Sequence, residues 1–157
     1  RFLLIFGLVG NHAFHFFLTI PILILFMLFY QVYPGFIFLL GVPILFLNQL
    51  LLIVGLSLFI STLNLFFRDM ENLTMVLCNI LFYLTPIIYQ RKMIPSEYQI
   101  FILMNPMTHV IELWRELLLS NFLDVVTLAY SFAYNILIFS VGAYVYNRLE
   151  KRFAEVV

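Results

Sequence analysis

The sequence predicts an all-α membrane protein with four transmembrane helices and a helical hairpin between the last two. Its composition is the first reason: of 157 residues, 64% are hydrophobic and 10% are charged, and the mean hydropathy is +1.08. A soluble domain has roughly 45–50% apolar and about 25% charged residues, so lipid must be the main solvent of this chain. The second reason is that four apolar stretches reach the ~20 residues that cross a ~30 Å hydrocarbon core.

Short polar or turn-forming clusters separate the four predicted spans, which form a single transmembrane domain. The spans cover about residues 2–31, 36–67, 73–89 and 125–146. We expect the first span to be bent or broken at Pro21, because proline removes a backbone hydrogen bond from a helix. After the last span the sequence becomes charged and polar, which predicts a tail over 147–157.

The segment 95–122 has a different pattern, which indicates a hairpin and not a span. Asn105 is a favourable helix N-cap and Pro106 suits the first position of a helix. The following charged and polar residues fall within one arc of about 120° at 100° per residue; they are His109, Glu112, Arg115 and Glu116. Two short helices joined at Asn105-Pro106 are typical of a re-entrant or interfacial hairpin.

Charged residues at the ends of the spans predict the orientation of the chain. Arg68 and Asp69 mark a polar boundary before the third span, and we expect the Asp69 side chain to cap that helix. With four spans, both ends of the chain lie on one side of the membrane. That side carries Arg1, Arg68, Arg148, Lys151 and Arg152, against Arg91, Lys92 and Arg115 on the other side. The positive-inside rule therefore places the tail in the cytoplasm and the hairpin outside.

Several classes of site have no matching pattern in this sequence. The formal net charge is zero, which gives no indication of nucleic-acid binding. Cys78 is the single cysteine, and no cysteine or histidine cluster has the spacing of a metal site. No phosphate-binding loop GxxxxGK[ST] is present, so we expect no cofactor in this chain and ATP hydrolysis by a partner subunit. The chain starts at Arg1 without an initiator methionine, and we interpret it as the C-terminal part of a longer protein.

An ordered set of short motifs resembles a known family. The set consists of Phe67-Arg68-Asp69, Leu84-Thr85-Pro86-Ile87-Ile88-Tyr89, Ile94-Pro95, Asn105-Pro106 and Ile111-Glu112-Leu113-Trp114-Arg115. It resembles the permease subunits of bacterial ABC polysaccharide exporters, which export O-antigen, capsule or teichoic-acid chains built on a lipid carrier. The resemblance implies a six-span permease of the bacterial inner membrane, of which this chain is roughly the last two-thirds.

The same resemblance implies partners and roles for residues. It implies a homodimer with two copies of a separate ATP-binding subunit, whose main contact would lie in the N-terminal part absent from this sequence. It also implies that the hairpin over 95–122 is an outer gate, formed by the residues Asn105, Pro106, His109, Glu112, Arg115 and Glu116. The alternative for these charges is a solvated face on an interfacial helix.

Polar residues on the third span are candidates for the substrate path. Asn72, Asn79 and Tyr83 are seven and four residues apart and so share one helix face. Polar groups at membrane depth usually face a wet cavity or the bundle interior. We assign them to the path together with Tyr89, since aromatic rings can stack on sugars; interhelical hydrogen bonding is the alternative.

Three other functions compete with polysaccharide export. An ABC export permease for drugs or small lipids would have a similar fold. An integral-membrane transferase would need carboxylates or histidines clustered at one interface, and His109, Glu112 and Glu116 come nearest to this. A purely structural subunit is disfavoured by the hairpin broken at Asn105-Pro106. No nucleophile–base pair is evident, so the sequence does not predict an enzyme.

Overall fold

The computed structural model describes residues 2–67 and 69–154, and this part of the chain contains helices and turns but no strand. The six α-helices within it are α1 (Phe2–Phe29), α2 (Phe36–Phe66), α3 (Met70–Leu84), α4 (Gln99–Leu103), α5 (Pro106–Ser120) and α6 (Val125–Ala154). A short 3₁₀ helix occupies Arg91–Met93. The all-α prediction is therefore confirmed.

Among the described residues, three helices are long and apolar enough to cross a membrane. They contain the stretches Ile5–Phe29, Phe36–Asn64 and Val125–Leu149. The apolar helix α3 is shorter, with 15 residues, or about 22 Å at 1.5 Å per residue. Many large apolar side chains on these helices are exposed, as expected for surfaces that lipid or other protein covers.

Helix α1 continues without interruption through Pro21, so the predicted break is absent. It ends in a Schellman motif, in which Gln31 has a left-handed backbone with φ 60°. The amide of Val32 donates to the Met27 carbonyl at 2.8 Å, and that of Gln31 donates to Leu28 at 3.1 Å. These bonds satisfy carbonyls at the helix end and turn the chain towards α2.

Helices α2 and α6 pack closely, because two glycines let their backbones touch. A Cβ atom on Gly55 would lie 2.7 Å from the Phe139 Cα, and one on Gly142 would overlap the Gly55 carbonyl group. Small residues at such crossings are typical of helix packing in membranes. The sequence analysis did not single out these two glycines.

A buried polar cluster joins the same two helices. The Asn48 amide donates to the Ser131 hydroxyl at 2.7 Å. The Asn135 amide donates to the Asn48 side-chain oxygen at 2.8 Å and to its carbonyl at 3.2 Å. All three residues are buried, so the hydrogen bonds fix the register of α2 against α6.

Helix α3 differs from its predicted span at both ends. Asp69 occupies the N-cap position, but its side chain makes no capping hydrogen bond; the predicted cap is wrong. The helix ends at Leu84 and residues 85–90 are irregular, so the predicted span 73–89 is only partly helical. None of the residues of α3 is buried within the chain.

Helix α6 extends past the predicted span 125–146 to Ala154. The first part of the predicted tail 147–157 is thus a continuation of the helix. Arg68 of the predicted cytoplasmic boundary, Arg1 and residues 155–157 lie outside the described residues.

Candidate functional site

The turn between α4 and α5 is organised by Asn105, which is 3% exposed. Its side-chain oxygen accepts from the Met107 amide at 3.0 Å, which confirms the predicted N-cap, and Pro106 occupies the first turn. Its amide group donates to the Thr85 hydroxyl at 2.8 Å, and that hydroxyl donates to the Leu81 carbonyl at 2.6 Å. Asn105 therefore ties the turn between α4 and α5 to the C-terminal end of α3.

The irregular segment after α3 is held by Arg115 from α5. The guanidinium donates to the carbonyls of Pro86 at 2.5 Å, Ile87 at 2.9 Å and Tyr89 at 3.4 Å. Carbonyls outside a helix lack intrahelical donors, and a planar guanidinium with five N–H groups can serve several of them together. Arg115 thus takes the place of the helical hydrogen bonds that this segment lacks.

Two further contacts fasten the same segment. The Tyr89 hydroxyl bonds back to the carbonyls of Leu84 at 2.9 Å and Tyr83 at 3.2 Å, at the end of α3. Arg91 donates to the Glu112 carboxylate at 3.2 Å. Glu112 and Arg115 therefore both bind the part of the chain that follows α3.

The apolar face of α5 packs into the bundle rather than lying open. Leu113 and Leu117 are fully buried, in a cluster with residues of α1 and α2. Leu117 also fits against Gly41, where a Cβ atom would lie 2.6 Å from its Cδ1. The Trp114 ring nitrogen donates to the Gln49 side chain at 2.9 Å.

Asn121 fixes the other end of α5 to the turn between α1 and α2. It has a left-handed backbone with φ 47° and ends the helix. Its side chain accepts from the Gly35 amide at 2.7 Å and donates to the Tyr33 carbonyl at 2.8 Å. The C-terminal end of α5 and the α1–α2 turn therefore lie at the same end of the molecule.

The turn between α4 and α5 lies beside α6, several turns away from the N-terminal end of that helix. The Tyr134 hydroxyl donates to the Met104 carbonyl at 2.8 Å. Tyr134 is nine residues beyond the start of α6 at Val125, or about 14 Å along the helix. His109 lies beside it, with its ring 6.5 Å from the Tyr134 ring and its Nε2 3.1 Å from the Leu103 carbonyl.

The electrostatics of α5 centre on Glu116. Burial raises the pKa of Glu116 above its usual value, and the nearby Asp124 and Glu112 carboxylates raise it further, against the opposing effect of Arg91. Its Oε2 atom is buried and has no hydrogen-bond partner among the described residues. The pKa of Asp124 is lowered instead, because Thr127 donates to it through its hydroxyl and its amide.

A family model described as "ABC-2 type transporter" matches residues 2–119, which is three-quarters of the chain and includes the motif region. The chain belongs to the ABC-2 type transporter family. It is therefore a multi-pass protein of the inner membrane, in agreement with the long apolar helices.

Two curated relatives match this ABC-2 transporter chain over 143 residues, or 91% of its length. Both are named "O-antigen export system permease protein RfbA" and come from Klebsiella pneumoniae, with 36% and 34% identity. The chain spans about half the length of these relatives, 55% in each case. Their names describe permeases and not enzymes. No solved structure matches the chain.

The structure brings the motif residues of this ABC-2 chain together, whereas the side chains of three predicted path residues are exposed on α3. Asn72, Asn79 and Tyr83 are exposed on α3, and Tyr83 is 75% exposed. Tyr89 is half-buried, and its hydroxyl bonds to carbonyls at the end of α3. In the part of the chain that is described, no three His, Cys, Asp or Glu side chains are placed to share a metal ion.

Sequence reasoning missed several residues that position this site. Thr85 was recognised only as part of the Leu84–Tyr89 motif, and its contact with Asn105 was not predicted. Tyr134 and Asn121 gave no local signal, because their partners are 30 and 88 residues away.

Proposed function

We propose that this chain is the membrane-spanning part of a permease that exports a lipid-linked polysaccharide through the inner membrane. The observation that carries the proposal is 36% identity over 91% of the chain to a protein named as an O-antigen export permease. The names of both relatives favour O-antigen over capsule or teichoic acid as the exported polymer.

The proposed topology has α1, α2 and α6 as complete spans and a third crossing that is only partly helical. Helix α3 supplies about 22 Å, and the irregular residues 85–90 supply the remainder. Non-helical backbone at membrane depth is tolerated where protein groups satisfy it. Arg115 donates to the carbonyls of Pro86, Ile87 and Tyr89. These bonds support an interrupted span that consists of α3 and residues 85–90.

The hairpin is proposed to re-enter the membrane from the outer face and to act there as a gate. Its turn at Asn105 is buried and lies about 14 Å along α6. That distance is close to half of a ~30 Å hydrocarbon core. The gate residues Glu112 and Arg115 bind within this chain, so we propose that they hold the hairpin in place rather than contact a second copy.

Two kinds of partner are proposed. Because the sequence has no phosphate-binding loop, a separate ATP-binding subunit would supply the energy on the cytoplasmic face. A second copy of the permease would complete the path. The apolar helix α3, which has no buried residue, offers a surface for that copy with Asn79 and Tyr83 at the edge of the path.

Deleting the gene should remove the polysaccharide from the cell surface and leave it lipid-linked inside. Expression of the full-length protein together with its ATP-binding subunit should restore display, and expression without that subunit should not.

Tyr83→Leu should slow export of long chains more than Tyr83→Phe, because phenylalanine retains the ring for stacking on sugars. Surface polysaccharide is measured by immunoblot at equal permease expression. Normal surface display in the deletion strain would contradict the proposed function, and equal export by both Tyr83 variants would remove Tyr83 from the path.

A further inference from the structure

We infer that exposed aromatic side chains around the α1–α2 turn anchor it in the headgroup layer of the membrane, and that this anchor sets the depth of the C-terminal end of α5. The partner of this surface is therefore the lipid headgroup layer. Each of the side chains is at least 58% exposed; we call them the aromatic anchor, and they are Phe29, Tyr30, Tyr33, Phe36 and Phe122. The inference depends on the membrane fold and not on the proposed export function.

The lengths of α1 and α2 allow their connecting turn to lie outside the hydrocarbon. Helix α1 has 28 residues and α2 has 31, or about 42 Å and 47 Å at 1.5 Å per residue. The hydrocarbon core is ~30 Å thick, and the bilayer with its headgroup layers is about 40–45 Å thick. Each helix is thus longer than the core, even at the average tilt of about 20°, so its ends reach the headgroup layers.

A charged group at the same end of the molecule supports this placement. The Asp124 carboxylate caps the start of α6, where it accepts from the Val126 amide at 3.2 Å and from the Thr127 amide at 3.1 Å. A charged carboxylate is costly in hydrocarbon. Asp124 is three residues from Asn121, whose side chain binds the α1–α2 turn. The turn therefore lies at the surface of the membrane and not at its centre.

Aromatic rings are the groups by which this turn can bind the headgroup layer. The sequence has no Asp, Glu, Lys or Arg from residue 2 to residue 67, so charged side chains cannot hold the turn there. Tyrosine combines an apolar ring with a polar hydroxyl and is enriched where hydrocarbon meets water. Tyr30 and Tyr33 lie on the turn and are 73% and 68% exposed. Rings with hydroxyls on a short turn at the membrane surface fit the headgroup layer better than an apolar protein interface.

Asn121 connects the aromatic anchor to α5. Its side-chain oxygen accepts from the Gly35 amide at 2.7 Å, and its amide group donates to the Tyr33 carbonyl at 2.8 Å. The fit is close, since a Cβ atom on Gly35 would lie 3.2 Å from the Asn121 Cγ. Because two hydrogen bonds join the turn to the end of α5, a change in the depth of the turn should carry the end of α5 with it.

The location of the anchor is tested by tryptophan fluorescence of the full-length protein in nanodiscs of phosphatidylethanolamine and phosphatidylglycerol. Tyr33→Trp is the test variant, and every other tryptophan is replaced by phenylalanine. Phe14→Trp is the matched control, because Phe14 is 61% exposed and lies near the middle of α1. The quenchers are lipids with a nitroxide either near the headgroup or deep in the acyl chain. We expect the shallow nitroxide to quench position 33 about twofold more than the deep one, and the reverse order at position 14.

The effect of the anchor on α5 is tested with Ser120→Cys in a Cys78→Ala background, in the same nanodiscs, whose two faces are both open to solution. The pair Tyr30→Phe and Tyr33→Phe removes the hydroxyls and keeps the rings, so the turn should move towards the acyl chains. We expect labelling of position 120 by a water-soluble maleimide to slow about threefold, because the thiol is drawn away from water. Tyr144→Phe, which removes an exposed hydroxyl from the later part of α6, should leave the rate unchanged.

A further variant isolates the connection through Asn121. Asn121→Gly suits the left-handed backbone at this position but deletes the side chain. Combined with the two tyrosine substitutions, it should return labelling of position 120 to the rate seen without them.

Three results would overturn the inference. Equal or stronger quenching of position 33 by the deep nitroxide would show that the turn does not lie in the headgroup layer. Absence of quenching by either lipid would show that protein, such as a second copy of the chain, covers the turn. An unchanged labelling rate at position 120 in the double phenylalanine variant, or slowing that persists with Asn121→Gly, would show that the anchor does not set the depth of α5 through Asn121.

Discussion

Replacing Arg115 by alanine is expected to destabilise the permease severely and to abolish export. The substitution leaves the carbonyls of Pro86, Ile87 and Tyr89 without the guanidinium that binds them. Pro86 is fully buried, and a buried acceptor left without a donor costs about 1–3 kcal/mol. The folded protein should therefore lose about 1–3 kcal/mol from this contact alone, seen as a lower unfolding temperature of the purified full-length protein and a smaller amount in the membrane.

Two further variants help to interpret this result: one separates the geometry of Arg115 from its charge, and the other is a control for the loss of an arginine. Arg115→Lys keeps the charge but loses the planar fork, so it should recover only part of the stability. Arg148→Ala removes an exposed arginine whose guanidinium contacts Tyr144 on its own helix, and it should leave stability nearly unchanged. Wild-type stability in Arg115→Ala would show that the segment after α3 does not depend on this side chain.

Gly142→Ala is expected to separate α2 from α6 and to destabilise the bundle by at least about 1–3 kcal/mol, the usual cost of overpacking a core. The added methyl group would overlap the Gly55 carbonyl. Backbone cannot move aside as a flexible side chain can, so the two helices must shift apart. That shift would also strain the buried contact between Asn48 and Asn135.

The chain provides a matched control in helix α1. A Cβ atom on Gly10 would meet nothing within 4 Å, so Gly10→Ala should be neutral or stabilising through its higher helix propensity, by up to about 1 kcal/mol. Both variants are compared by thermal unfolding in detergent. If Gly142→Ala unfolds at the wild-type temperature, the close crossing of α2 and α6 is incorrect.

The sequence was sufficient to predict the helical membrane fold and the start of α5, because both have local causes. Apolar length predicts α1, α2 and α6. An asparagine followed by a proline predicts the start of α5, and the Asn105 cap is present as expected. The irregular segment after α3 was not predicted, since its stability depends on Arg115, nearly 30 residues later in the chain.

The roles of single residues were harder to predict, because they depend on tertiary contacts between residues that are far apart in the sequence. Asp69 has the right residue type and position for a cap, yet its side chain makes no such bond. Tyr89 was assigned to the path by its aromatic ring, which stays a prediction; the contact of its hydroxyl with the end of α3 was not predicted. Asn48 and Asn135 form the buried cluster of the core, but no periodic pattern links two residues 87 positions apart.

The most direct test of this account is the side of the membrane on which the two ends of the hairpin lie. In the full-length protein with Cys78→Ala, single cysteines replace Ser96 and Ser120, both of which are exposed. A membrane-impermeant maleimide is added to intact cells or spheroplasts. The account predicts that both cysteines label from outside without permeabilisation, because the chain enters and leaves the hairpin on the outer face. Labelling of one cysteine from outside and of the other only after permeabilisation would show that the segment crosses the membrane, and would contradict the account.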